Sequence, residues 1–291
     1  MLIRDQLKKA QNFTPNEKEI ALFILKNSDN FDEFSTRQIA KKTFTSPSAI
    51  VRLCHRLGFS GFDEFKNKFI EETDYLSLKN KELNANFPFD KNDTVREVVG
   101  KITNLYLQTI KDTQNIMDFQ ALLRCRKICD ESKEIHIFSY GTYLNQAYAF
   151  EEKMTKIGKK VHIQSNLNYQ LYDAESMEAG DIAIIISYSG ETKNCLEIAN
   201  LCRQKNIPVI SFTSVGGNSL SKVSDEVLYI STQETLYENI ADYSIHLSVS
   251  YLLDILYSII FQQDFDHYYQ RKIDLAHLLE NHRDTDNSII R

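Results

Sequence analysis

The run SYSGET, residues 187–192, combines residue types that suit phosphate binding. It follows an apolar strand candidate, Ile182–Ser187, and a helical pattern starts near Thr192. The start of a helix offers free N–H groups and the positive end of the helix dipole, hydroxyls add donors, and glycine permits a close approach of the backbone. The residues that would do this are Ser187, Ser189, Gly190 and Thr192. An ordinary capping turn is the alternative.

A second group of polar side chains shares one face of a predicted helix, residues 46–57. Its small or donor-bearing residues are Ser46, Ser48, Arg52, His55 and Arg56, and its apolar residues are Ile50, Val51, Leu53, Cys54 and Leu57. A recognition helix needs small or donor-bearing residues where it enters the major groove, and apolar residues behind them. The pattern therefore favours DNA binding, although a solvated helix face has the same composition.

Two further helices are predicted before this one. Thr14-Pro15-Asn16-Glu17 combines a capping hydroxyl, a first-turn proline and a glutamate, so a helix to about Asn27 is expected. Ser35 and Gln38 begin a short helix that ends near Thr43, and Thr43-Phe44-Thr45 forms the turn to the next helix. Many small helical bundles share this pattern, and most of them bind no DNA.

The stretch FTPNEKEIALFILKNSDNFDEFSTRQIAKKTFTSPSAIVRLCHRLGFSGFDEFKNKF resembles the N-terminal helix-turn-helix of the RpiR family of regulators. Its most specific part is GFSGFDEFK, in which Phe59, Phe62 and Phe65 are expected to complete the core of the bundle. The resemblance implies that the polar residues of helix 46–57 contact double-stranded operator DNA.

The C-terminal half alternates strand and helix patterns after two predicted helices, 94–113 and 118–132. The strand candidates are Ile135–Ser139, Val161–Gln164, Ile182–Ser187, Val209–Thr213 and Val227–Ile230. This alternation is typical of a doubly wound parallel sheet. The predicted fold class is thus α followed by α/β, a helical bundle and then a five-stranded parallel sheet.

The segments IHIFSYGTYLNQA, SYSGET, VISFT and SKVSDEVLYI resemble the sugar isomerase (SIS) domain of RpiR proteins. The resemblance implies a flavodoxin-like strand order 2-1-3-4-5, in which residues 139–143 and 187–192 meet around a phosphorylated sugar. It adds Gly141, Thr142 and Tyr143 to the site, with Glu238 as a further polar candidate. The family usually has serine where this chain has Tyr143, so a phenol replaces a small hydroxyl.

Composition is consistent with a cytoplasmic protein of two domains. The 291 residues carry a net charge of −6, yet residues 1–73 hold 12 Lys and Arg against 10 Asp and Glu. No secretory signal or long uninterrupted apolar run is recognised. The five cysteines form no Cys-x-x-Cys pair, so we expect buried free thiols, with no metal and no cofactor. The predicted division is 1–74, a linker 75–93, and 94–291.

Two functions of different classes follow from these patterns. The first is a non-catalytic, sugar-responsive DNA-binding regulator. The second is a phosphosugar isomerase, with Glu238 as base and His162 or His246 as acid. A sensor that binds a protein instead of DNA is a third possibility. The apolar helix Ile245–Phe261 is expected to mediate dimerisation, as a homodimer or a dimer of dimers.

Overall fold

The computed structural model describes residues 2–9, 13–77, 84–279 and 289, and it divides the chain into two compact units. The N-terminal unit holds residues 1–84 together with 215–217, and the C-terminal unit holds the rest. The predicted linker, 75–93, differs from this division at both ends. A helix continues through Ser77, and residues 85–93 belong to the C-terminal unit, where Asn86 accepts a hydrogen bond from the Thr235 N–H at 2.7 Å. Residues 78–83 lie outside the described part.

Helices alone build the described part of the N-terminal unit. They are α1 (Ile3–Lys9), α2 (Pro15–Lys26), a 3-10 helix (Ser28–Glu33), α3 (Thr36–Lys42), α4 (Pro47–Arg56) and α5 (Phe62–Ser77). Helices α2 and α3 begin at the predicted capping boxes, Thr14 with Glu17 and Ser35 with Gln38. Helix α1 was not predicted, because its cap is distant in sequence: the Glu72 carboxylate accepts hydrogen bonds from the first N–H groups of α1.

Aromatic rings form the centre of this bundle. Phe31, from the 3-10 helix, packs edge-on against Phe69 at 5.2 Å between ring centroids, and Phe65 stacks on Phe69 at 5.8 Å. Phe59 meets Phe65 at 5.4 Å, and Phe62 is buried with them. The expectation that the GFSGFDEFK segment completes the core is confirmed.

The turn between α3 and α4 holds an unusual residue. Phe44 has a φ of 52°, in the left-handed region, and its side chain is 95% exposed. This conformation normally favours glycine or asparagine because the Cβ atom of other residues crowds the following carbonyl. The residues on either side, Thr43 and Thr45, join their hydroxyls at 2.8 Å and fix the turn.

The C-terminal unit is an α/β domain. Its elements in chain order are α6 (Val95–Asn115), α7 (Phe119–Glu131), β1 (Ile135–Ser139), α8 (Leu144–Lys156), β2 (Val161–Ile163), α9 (Gln170–Ser176), β3 (Ile182–Ile186), α10 (Lys193–Gln204), β4 (Val209–Ser214), α11 (Ser219–Val223), β5 (Glu226–Ile230), α12 (Tyr243–Gln263) and α13 (Phe265–Leu279). Each predicted strand is present, with ends that shift by no more than one residue.

The five strands form one parallel sheet in the order β2-β1-β3-β4-β5, as predicted. Apolar clusters cover both faces, one against α7, α8 and α12 and the other against α9 and α10. Strands β1 and β3 are neighbours, with Ser139 opposite Ile186 at their carboxyl ends. The loops after these strands therefore leave the sheet side by side at its switch point.

Buried hydroxyl pairs join α6 to α12. Thr109 donates to Ser244 at 3.0 Å, and the hydroxyls of Thr113 and Ser248 lie 2.9 Å apart. On both helices the paired residues are four positions apart, so they share one face of each helix. These contacts fix the register of the two helices.

Helix α12 is long and apolar enough to pass a length-and-composition test for a membrane span, with a mean hydropathy of 1.5. Its apolar side chains, however, contribute to the core of the unit: Ile245, Val249, Leu252, Leu253, Leu256 and Ile260 are all buried. Leu247 and Ile259, which were also expected at a dimer interface, are only partly buried, so dimerisation through α12 stays a prediction.

The five cysteines are free and buried, and all lie within the described residues. Burial raises the pKa of the Cys54 and Cys125 thiols to about 12, which keeps them protonated at neutral pH. The expectation of buried free thiols is confirmed.

Candidate functional site

The exposed face of α4 begins at its N-terminus. Ser46 caps the helix by accepting a hydrogen bond from the Ala49 N–H at 3.2 Å, and its hydroxyl lies 2.9 Å from that of Ser48. Arg52 is exposed one turn further on. The opposite side, with Ala49, Ile50, Leu53 and Cys54, is buried in the bundle. The helix is thus amphipathic in the manner of a recognition helix.

The last two predicted DNA contacts also have partners within the protein. Arg56 forms an ion pair with Glu17 at 2.9 Å, and Nδ1 of His55 lies 3.1 Å from the carbonyl oxygen of Phe59. Burial acts to raise the pKa of Glu17, but hydrogen bonds from Thr14 and the charges of Arg56 and Arg52 lower it on balance. Arg56 therefore has a structural role that the sequence did not reveal.

The loop after β1 turns sharply into α8. Gly141 has a φ of 108° and is exposed, a conformation that other residues rarely adopt. Thr142 is also exposed, and its hydroxyl lies 2.9 Å from Nε2 of His246. Tyr143 is partly buried, and its ring meets that of His246 edge-on at 5.4 Å. Burial and the nearby carboxylates of Asp242 and Glu234 raise the pKa of the Tyr143 hydroxyl, which stays protonated.

The loop after β3 is closed by its own hydrogen bonds. Ser187 donates to the Thr192 hydroxyl at 3.0 Å, and Ser189 accepts from the Glu191 N–H at 3.1 Å. Each acceptor retains its hydroxyl hydrogen, which it can donate to an anion. At Gly190, an added Cβ would lie 2.1 Å from Oδ1 of Asn218. A side chain at this position would collide with Asn218, so glycine is required here.

The helices that follow these two loops have no side-chain cap. Neither Tyr143 at the start of α8 nor Thr192 at the start of α10 accepts a hydrogen bond from its helix. The same holds for Tyr169 before α9 and Asp242 before α12, whereas Thr14 and Thr94 cap their helices. Two helix N-termini without side-chain caps thus flank the carboxyl ends of β1 and β3. Such N-termini bind anions through their N–H groups and dipoles.

A cavity of about 400 Å³ lies beside the first loop. It is lined by Tyr106, Thr142, Ala241, Asp242, Tyr243, His246, Leu247 and Ser250. Of the predicted ligand residues, Thr142 lines this cavity, whereas the residues of the loop after β3 do not. The cavity thus adjoins the loop after β1 and is bordered by α6 and α12.

Glu234, close in sequence to the predicted Glu238, is a buried carboxylate. Glu238 is exposed, and the hydrogen bond recorded there uses its backbone oxygen. Glu234 instead accepts hydrogen bonds from the N–H groups of Ser244 and Ile245, both at 3.0 Å, and caps α12. Burial raises its pKa to about 7. The sequence signal was weak, since Glu234 precedes α12 by nine residues.

The proposed acid and base of an isomerase lie in different surroundings. His162, on β2, faces Asp173 of α9, and His246 faces Thr142. Glu238 has an exposed side chain. The structure records no contact that joins these three side chains within its described residues.

Comparison with known proteins agrees with this architecture. Residues 1–75 match the helix-turn-helix domain of the rpiR family, and residues 130–254 match the SIS domain. The chain is 27% identical over 272 residues to an uncharacterized HTH-type transcriptional regulator of Caldanaerobacter subterraneus subsp. tengcongensis. The aligned region covers 94% of this chain and 92% of the relative.

Two solved structures share the fold. The Vibrio vulnificus NanR protein complexed with ManNAc-6P matches 97% of this chain and 99% of its own, at 20% identity and a TM-score of 0.60. A Listeria monocytogenes protein with a proposed sugar-phosphate isomerase activity matches 62% of this chain and 98% of its own, at 15% identity and a TM-score of 0.53. With an rpiR-type helix-turn-helix domain followed by a SIS domain, the chain belongs to the RpiR family of transcriptional regulators.

Proposed function

We propose that the protein binds operator DNA through α4 and that a phosphorylated sugar, bound between the loops after β1 and β3, changes its affinity for that DNA. The observation that carries the sugar site is the pair of helices, α8 and α10, that start without side-chain caps at the same edge of the sheet. Ser189 and Thr192 add hydroxyl donors for the phosphate, and Thr142 adds a third.

The sugar itself is expected to extend into the cavity beside Thr142. Its hydroxyls can bond there to Asp242, Tyr243 and His246, which line the cavity. The NanR protein was solved with ManNAc-6P, so an N-acylated hexosamine phosphate is the first ligand to test. Tyr143 narrows this end of the site, because its ring packs against His246 where a serine would leave space.

A non-catalytic role fits this site better than isomerisation. An isomerase needs a base that reaches the substrate carbon and an acid that reaches the carbonyl oxygen. The buried carboxylate beside the site, Glu234, is occupied by two backbone N–H groups of α12. A role in binding DNA is also consistent with the expected cytoplasmic location.

Dimerisation is part of this proposal, since paired recognition helices fit palindromic operators. The buried face of α12 is unsuitable as an interface. Helix α6 instead exposes Val95, Val99 and Leu107, at 82%, 61% and 55% of their surfaces. We assign the dimer contact to this face.

One experiment tests the function as a whole. Genomic fragments selected by the purified protein are sequenced, and the selected operator is titrated with and without ManNAc-6P, ManNAc and inorganic phosphate. Allosteric coupling predicts a change of about 5–150-fold in operator affinity with the phosphorylated sugar alone. The absence of any selected DNA would refute the DNA-binding role. Aldose-to-ketose conversion of an aldose phosphate with a C2 hydroxyl, such as glucose 6-phosphate, followed by NMR, would support the isomerase instead.

A further inference from the structure

Two histidines and an aspartate meet on one face of the sheet, away from the sugar site. His136 of β1 lies directly opposite His162 of β2 in the parallel register, and the two ring centroids are 5.2 Å apart. Asp173, on α9, lies between the rings with one carboxylate oxygen toward each. One ligand atom from each residue lies within 4.8 Å of the other two.

The distances within this cluster suit coordination of one ion. Oδ2 of Asp173 is 3.4 Å from Nδ1 of His136, and Oδ1 is 3.2 Å from Nε2 of His162. A charge-assisted hydrogen bond between such groups is shorter, about 2.7–2.9 Å. Ligands about 2.0–2.2 Å from a tetrahedral Zn²⁺ lie roughly 3.3–3.5 Å from one another. Both nitrogen–oxygen distances, each to a different oxygen of Asp173, are longer than such a bond and close to the spacing of two zinc ligands.

Burial and access also fit a metal site. The side chains of His136 and Asp173 are each 9% exposed, whereas that of His162 is 42% exposed. An ion can therefore reach the buried donors of His136 and Asp173 from solvent along the side chain of His162. Behind His136, Oδ2 of Asp181 lies 3.9 Å from Nε2, the ring nitrogen that faces away from the cluster. At this distance Asp181 places a second negative charge beside the ring without a direct hydrogen bond, which favours a bound cation.

We propose that His136, His162 and Asp173 bind a divalent first-row transition ion, with Zn²⁺ as the best fit. Imidazole and carboxylate donors suit zinc, and three protein ligands leave a fourth position for water. The ion would tie β2, an edge strand of three residues, to β1 and α9. The sequence expectation of no metal considered only the cysteines. The ligands here come from three separate elements, and strand pairing brings them together.

The test uses the full-length protein with its affinity tag removed, because a histidine tag binds the same ions. After treatment with a chelator, Zn²⁺ affinity is measured by competition with a chromophoric chelator, and Co²⁺ is added to record its visible spectrum. We expect one Zn²⁺ per chain, a rise in Tm with Zn²⁺, and the intense visible absorption of tetrahedral Co²⁺.

The decisive variant is His162→Ala, because this half-exposed side chain can be removed with little damage to the core. It should lose the bound ion, the Co²⁺ spectrum and the Zn²⁺-dependent rise in Tm. His267→Ala is the matched control, an exposed histidine on α13 that should leave all three unchanged. The proposal is overturned if the unmodified chain binds no stoichiometric ion, or if His162→Ala binds Zn²⁺ with unchanged affinity.

Discussion

Nη1 of Arg56 donates a hydrogen bond to Oε2 of Glu17 at 2.9 Å, which joins the last turn of α4 to the first turn of α2. The Glu17 side chain is only 10% exposed, so it depends on this cation and on Thr14 for its charge. Helix α4 is thus held in place by one of its own basic residues.

Replacing Arg56 should therefore change stability as well as DNA affinity. For Arg56→Ala we expect a loss of about 1 kcal/mol in the free energy of unfolding, since the pair is partly exposed. A double-mutant cycle with Glu17→Gln in urea isolates the pair. Because the pKa of Glu17 is lowered, the contribution of the pair to the free energy of unfolding is present above the ordinary pKa of a glutamate and is lost as pH falls. Unchanged stability with weaker DNA binding would instead make Arg56 a direct DNA contact.

Arg52 is expected to act mainly on DNA, since Arg56 rather than Arg52 forms the ion pair with Glu17. Its side chain is exposed, and Arg52→Ala should reduce operator affinity by about 1–3 kcal/mol without a change in Tm. Gel-shift titrations at fixed salt, with operator and scrambled duplexes, measure this. Lys127→Ala, on α7, removes the same charge from the C-terminal unit and is the control. An equal loss on both duplexes would show that Arg52 contacts phosphates only.

The hydroxyls after β3 should hold the phosphate. Ser189→Ala combined with Thr192→Ala removes two donors to a charged acceptor, each worth about 1.5–3 kcal/mol, so binding should weaken by at least about two orders of magnitude. Calorimetry with the sugar identified in the operator titration measures the loss. Ser258→Ala, an exposed serine on α12, is the control. Operator affinity without sugar should stay unchanged, and normal sugar affinity in the double variant would rule out this phosphate site.

Phe44 is expected to destabilise the N-terminal unit. Since its φ of 52° strains any residue with a Cβ, Phe44→Gly should raise the free energy of unfolding by up to about 1 kcal/mol. Phe44→Ala removes the same exposed ring but keeps the strained backbone, so its stability should stay near that of the parent. Thermal and urea unfolding compare the three proteins. Equal stability of the glycine and alanine variants would contradict the assigned strain.

Glu234 should make stability depend on pH. Its pKa is raised from 4.5 to about 7 in the folded protein, so the unfolded chain ionises first as pH rises. The contribution of Glu234 to the free energy of unfolding is complete below about pH 4.5 and is lost as pH rises through about 7. The loss amounts to about 3 kcal/mol. Glu234→Gln should flatten this slope in urea titrations at pH 4.5–8, whereas Glu238→Gln, an exposed control, should not. Equal slopes in both variants would contradict the assignment.

Local signals allowed most of the fold to be predicted. The capping boxes at Thr14 and Ser35 and the apolar runs of the five strands depend on residues close in sequence, so their positions could be read directly. The strand order followed from the resemblance to the SIS domain. Helix α1 escaped prediction because its cap, Glu72, lies at the other end of the unit.

The site was less predictable because its contacts join distant segments. The residue types at Ser187–Thr192 indicated phosphate, but nothing near Gly190 in sequence pointed to Asn218. Likewise, Arg56 read as a free basic residue until folding placed it beside Glu17, and Glu234 read as a loop residue until folding placed it under α12. Pairing of this kind depends on topology, which residue type alone does not encode.

The hydroxyl pairs between α6 and α12 make one direction of movement easier than another. Thr109 and Thr113 are spaced one turn apart, as are Ser244 and Ser248. Sliding α6 by one turn, about 5.4 Å, would exchange partners and keep one of the two bonds. Rotating α6 about its axis would break both. A one-turn step of α6 along α12 therefore ends in a position that again holds one buried hydrogen bond between hydroxyls, whereas a rotation of α6 does not.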